Sequence, residues 1–97
     1  MRMMMKVTIP ILAANRAVLD GSAGRIFQRA FETLRPEATY FFPSEEGRTV
    51  LFFIDVKENS DVPAIADPFF KGLDAHVTFT PVMNPEDFRQ GLAKLSH

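Results

Sequence analysis

Ninety-seven residues carry 11 basic and 12 acidic side chains, a net charge of -1, 46% hydrophobic residues and no cysteine. That length suits one domain over residues 1–97, able to bury roughly 60–70% of its unfolded surface, and the hydrophobic content argues against disorder. The balanced charge offers no basic field for phosphates, so nucleic acid is not an expected partner; the lack of cysteine removes disulfides, thiolate metal sites and thiol nucleophiles and suits the reducing cytoplasm, the expected location.

At the N-terminus, Arg2 and Lys6 precede an apolar stretch over residues 7–14 with the outline of a secretory leader. Lys6, Thr8 and Pro10 interrupt it, so no cleaved leader is expected. No stretch approaches the ~20 apolar residues of a membrane helix, so no membrane partner is expected. Residues 3–11 alternate, with Met5, Val7, Ile9 and Ile11 on one side and Met4, Lys6 and Thr8 on the other, which predicts the first strand. Asn15 can cap a short helical turn to Leu19, and Asp20-Gly21-Ser22 breaks it. Ala23, Ile26, Phe27, Ala30, Phe31 and Leu34 then recur at helical spacing. Pro36 ends that helix and biases Arg35 to extended geometry.

Residues 38–42 predict an aromatic second strand, and Ser44-Glu45-Glu46-Gly47 a polar hairpin turn, in which Glu45, Glu46 and Arg48 read as solvated charges. Residues 49–56 form a nearly unbroken apolar run, the pattern of a central strand. Ser60 and Asp61 open the next helix, with Pro63 tolerated in its first turn and Pro68 expected to kink it. Residues 75–83 alternate again and carry Pro81, which suits an edge strand. Asn84-Pro85-Glu86-Asp87 then starts a last helix with Phe88, Leu92 and Leu95 on one side.

The order β-α-β-β-α-β plus a tail helix predicts an α+β, ferredoxin-like antiparallel sheet with helices on one face. Right-handed crossovers put strands one and three in the centre. Val7, Ile9, Val50, Phe52, Ile54, Val56, Val77 and Phe79 then lie under the helices. Lys6, Thr8, Tyr40, Phe42, Leu51, Phe53, Asp55, His76, Thr78 and Thr80 share the other face. Tyr40, Phe42, Leu51 and Phe53 would leave a large apolar patch in water, which soluble monomers avoid. The expected partner is therefore a second copy, covering that face in a two-fold homodimer.

The element order, the strand Val77-Thr78-Phe79-Thr80-Pro81-Val82-Met83 and the capped helix after it resemble the dimeric α+β barrel superfamily. The segment Arg35-Pro36-Glu37-Ala38-Thr39-Tyr40-Phe41 and residues 69–83 are similar to small bacterial domains of unknown function within it. The resemblance implies a dimeric α+β barrel. The superfamily includes cofactor-free monooxygenases, muconolactone-isomerase-like enzymes, chlorite-dismutase-like haem proteins and ligand-binding regulators.

The residues themselves point to a small, mostly apolar organic ligand held between sheet and partner. Thr8, Tyr40, Phe53, His76 and Thr78 are the expected binding residues, because aromatic walls with a few polar groups suit such a site. The alternative is a cofactor-free enzyme, monooxygenase-like or isomerase-like, using His76 or Tyr40, with Asp55 a third candidate. Asp55 is expected on the same face and at the same end of the sheet as His76, about 10 Å away across one intervening strand. Asp74 and His76, two apart on a strand, are too few for a metal site. With His97 the only other histidine, neither metal nor haem nor any other cofactor is expected. Asp20-Gly21-Ser22-Ala23-Gly24-Arg25 lacks the spacing of a nucleotide fingerprint and reads as a helix break.

Overall fold

Alternation at the N-terminus becomes β1 (Arg2–Ile9), which stops because Pro10 has no N–H to offer a ladder. In this computed structural model, which describes residues 1–95, α1 (Ile11–Leu19) follows at once, earlier than an Asn15 cap would allow. Gly21, at φ 82°, redirects the chain into α2 (Ser22–Leu34), and the Asp20 carboxylate accepts the Ser22 N–H at 2.8 Å. Ser22 is thus the first helical residue. Arg35 is left-handed, φ 45°, where extended geometry was expected, because its N–H closes the helix on the Phe31 carbonyl at 3.2 Å. The remaining elements are β2 (Ala38–Ser44), β3 (Gly47–Asp55), a 3-10 turn (Asn59–Asp61), α3 (Val62–Leu73), β4 (His76–Pro81) and α4 (Pro85–Ala93). Helix α3 runs on through Pro68.

The four strands form one antiparallel sheet in the order β2-β3-β1-β4, as the right-handed crossovers predict. Register fixes the faces. Val7 pairs with Val50 and Val77, Met5 with Phe52 and Phe79, and Phe41 with Val50. Those side chains lie under α1, α2 and α3. Met5, Val7, Val50 and Phe52 are wholly buried there with Phe69 and Leu73 of α3. Phe27 sits among Phe41, Phe52 and Phe69 at ring distances of 5.4, 6.3 and 6.0 Å, and the full burial of a ring such as Phe52 or Phe69 contributes about 1.5–3 kcal/mol.

Helix α1 inverts the usual pattern. Its sheet-facing side is Ala13, Ala14 and Ala17, while Ile11, Leu12, Val18 and Leu19 face outward, Leu12 83% and Leu19 89% exposed. Small residues let it lie close to the sheet. At the hairpin, Gly47 has φ 143°, and a Cβ there would fall 2.2 Å from the Ile9 carbonyl oxygen. Only glycine lets β3 start so close to the end of β1.

Helix α4 stands apart. Asn84 caps it by accepting the Asp87 N–H at 2.8 Å, and Asp87 returns a bond to the Asn84 N–H. Arg2 reaches Asp87 and also Glu37, at 2.6 Å. Yet no residue of α4 is buried. The radius of gyration is 15.4 Å with a longest extent of 57 Å, against about 12.5 Å expected for a globule of this length. The helix projects from the body.

Candidate functional site

The open face of the sheet holds the residues expected to act. Its rows, read across β2, β3, β1 and β4, are Ala38-Phe53-Met4-Thr80, Tyr40-Leu51-Lys6-Thr78 and Phe42-Thr49-Thr8-His76. The face is therefore divided. The β2–β3 half is aromatic: Tyr40 is 61% and Phe42 41% exposed, and Tyr40 meets Phe53 edge-on at 6.4 Å. The β1–β4 half is polar, with Lys6, Thr8, His76, Thr78 and Thr80. Lys6 sits where the halves meet and makes no ion pair among the described residues.

Thr8 and His76 are direct cross-strand neighbours, Thr8 buried and His76 exposed. Tyr40 and His76 share the face but stand three strands apart, roughly 14 Å at ~4.8 Å per spacing. Asp55 does not share an end with His76, as the sequence suggested. It pairs with Arg2 at the start of β1, whereas His76 pairs with Thr8 near its end. Both β3 and β4 run antiparallel to β1 and so parallel to each other; the last residue of one and the first of the other must lie at opposite ends. Six residues of β1 separate them, about 20 Å. Asp55 is engaged elsewhere, with the Met1 ammonium 2.8 Å away. That hydrogen bond and its charge hold the Asp55 carboxyl below the usual carboxylate range.

Asp74 is not on a strand. It is the left-handed residue closing α3, φ 50°, and its carboxylate faces Arg16 at 3.3 Å. No group of three His, Asp or Glu side chains among the described residues could hold a metal; His97 lies outside them. The turn at Asp20 is the helix break expected. The Ser22 hydroxyl and N–H hold its carboxyl below the usual range.

Among the clefts that open on the described residues, three stand out. One of about 380 Å³ lies beside Arg2, Glu37, Phe53 and Asp55. A second, about 590 Å³, enters between α1, α2 and the hairpin end of the sheet. The third, about 880 Å³, runs between α2 and α3 over Ile26, Ala30, Ile65 and Phe69. Of the expected binding residues, only Phe53 lines any of them. Arg48, which the sequence suggested was merely solvated, lines the second cleft.

No helix among the described residues is long and apolar enough to cross a membrane. No family model matches the chain, and neither a curated protein nor a solved structure matches it.

Proposed function

We propose that this chain works as a homodimer that encloses a small, mostly apolar organic molecule between two facing sheets, in the manner of a dimeric α+β barrel. The observation that carries the reading is the uncovered aromatic half of the open face, Tyr40, Phe42, Leu51 and Phe53. A two-fold axis running across the strands lays that half on its own counterpart, apolar on apolar.

Area adds a constraint. Four strands at ~4.8 Å and seven residues at ~3.3 Å give a footprint of roughly 19 by 23 Å. That is about half of the ~800 Å² per partner typical of stable interfaces. The projecting α4, with Phe88 52% exposed and Leu95 77% exposed just past its end, supplies more apolar surface. It reaches the partner while the sheets cover each other.

Lys6 locates the ligand. A lysine sealed without a partner charge is costly, so the space around Lys6, Thr78, Thr8 and His76 stays open and polar while the aromatic half packs. Tyr40 and Phe53 wall that space. A role that used His76 and Tyr40 together would have to span their ~14 Å separation across three strand spacings, so the alternative, a cofactor-free enzyme, rests on one of them alone.

Sedimentation velocity at micromolar concentration tests the dimer, with a dimer expected. Phe53→Glu should give a folded monomer by circular dichroism; a wild-type monomer would refute the reading. A small-fragment screen by amide shifts tests the ligand, with shifts expected at Thr8, His76 and Thr78. Hits that all spare these three residues would remove the ligand half and leave the dimer.

A further inference from the structure

A second cleft wraps the hairpin end of the sheet and shares only Phe42 with the aromatic half that the dimer would cover. It opens at the hairpin end, between α1 and α2 above and the ends of β1, β2 and β3 below, with a volume of about 590 Å³. That falls within the ~300–1,000 Å³ of small-molecule sites. Its lining is apolar except for Thr49 and one charge. Val18, Phe27, Phe41, Phe42 and Val50 wall it, and Arg48 stands in it. No carboxylate lines it, and Arg48 makes no ion pair with any described residue. Ser44 donates its hydroxyl proton to the Gly47 carbonyl and so accepts that of Thr49 at 2.8 Å, which leaves the guanidinium as the one side-chain donor in the lining with bonding capacity to spare.

A second observation concerns Gly24, the third residue of α2. Glycine weakens a helix relative to alanine, so it is usually kept where a side chain would collide. At Gly47 it would, against the Ile9 carbonyl, and at Gly72 against Ile26. At Gly24, as at Gly91 of the projecting α4, a Cβ would meet nothing within 4 Å, and its backbone is ordinary helix; of the two, only Gly24 lines a cleft. Packing therefore gives no reason for it. What the missing side chain leaves is open space on the cleft wall. The neighbouring wall residues are Ala14 and Ala23, equally small.

We infer that this cleft is a binding site for a monocarboxylate with an apolar body, the chain or ring lying between α1, α2 and the sheet and the carboxylate on the Arg48 guanidinium. Charge selects the head group: a bidentate guanidinium–carboxylate pair suits a lone arginine at the rim of an apolar space. The apolar body covers Val18 and Phe41, both of which now stand more than half exposed at the mouth. The site is built within one chain and does not depend on the dimer.

Titration of the full chain with decanoate, followed by amide shifts, tests the assignment. Shifts are expected at Gly24, Phe27, Phe41 and Arg48. Decanol should bind at least tenfold more weakly. Arg48→Gln should weaken decanoate at least tenfold, while Lys71→Gln, which removes a cation outside the cleft, should not. Gly24→Phe should abolish binding by filling the space; if it does not fold, Arg48→Gln and the decanol comparison decide. Equal binding of decanol and decanoate, no effect of Arg48→Gln, shifts confined to the open sheet face, or no binding would each overturn the inference.

Discussion

Phe52 and Phe53 are neighbours on β3, yet one is wholly buried and the other half-exposed. The faces they belong to are made by the same four strands. Under the helices the rows are apolar but for Thr39 and Arg48 at their edges, and α1, α2 and α3 close over their centre. On the open face the rows change from aromatic to polar across the sheet and stay at least partly exposed, Thr8 and Thr49 excepted. The difference shows where one chain's stability is made and where its dealings with other molecules can be.

Truncation tests this contrast. Phe52→Ala should cost about 3–5 kcal/mol, a large share of the roughly 5–15 kcal/mol of a typical domain, read by urea unfolding. Gly47→Ala comes next, about 1–3 kcal/mol, since a left-handed turn must hold a side chain against the Ile9 carbonyl. Phe53→Ala should cost only about 1 kcal/mol when measured at concentrations where the chain is monomeric, while shifting the midpoint of self-association. If Phe53→Ala and Phe52→Ala cost the same in the monomer, the faces are not different in kind.

Much of this layout was legible in the chain. Period-two alternation, an unbroken apolar third strand and a proline in the fourth give the strand order and both faces, because a strand's side chains can point only two ways. The failures have physical causes. From sequence α1 looks like a short turn, because its buried side is alanine and its large residues face water, the reverse of the usual moment. Strand adjacency alone brings Asp55 and His76 to one end; strand direction separates them. The cleft at Arg48 was invisible because Ala14, Ala23 and Gly24 build it by what they lack; a sequence records side chains, not the gaps between them.

Smaller effects probe the ends of the helices. Asn84→Ala should cost α4 about 1 kcal/mol and lower its helicity without moving the main unfolding transition, since α4 is not packed on the body. Asp20→Asn should lower the melting temperature slightly at neutral pH. The sign follows from the lowered folded-state value: the contribution is present above the unfolded carboxyl's pKa and fades as pH falls through the folded one. In strong acid the variant and the wild type should therefore melt together. A difference that persists there would assign the effect to shape and not to charge.

Helix α4 is aimed by its Asn84 cap and by the bond from Arg2 to Asp87, with none of its residues buried. Its opening is thereby uncoupled from that of the core. In hydrogen–deuterium exchange its amides should lose protection by local fraying, far faster than those of β1 or β3, and faster still at high salt as the Arg2 tie is screened. A helix aimed this firmly and protected this little is a reporter: whatever comes to lie on Phe88 and Leu95 announces itself as slowed exchange in this one segment, while the rest of the protein stays silent.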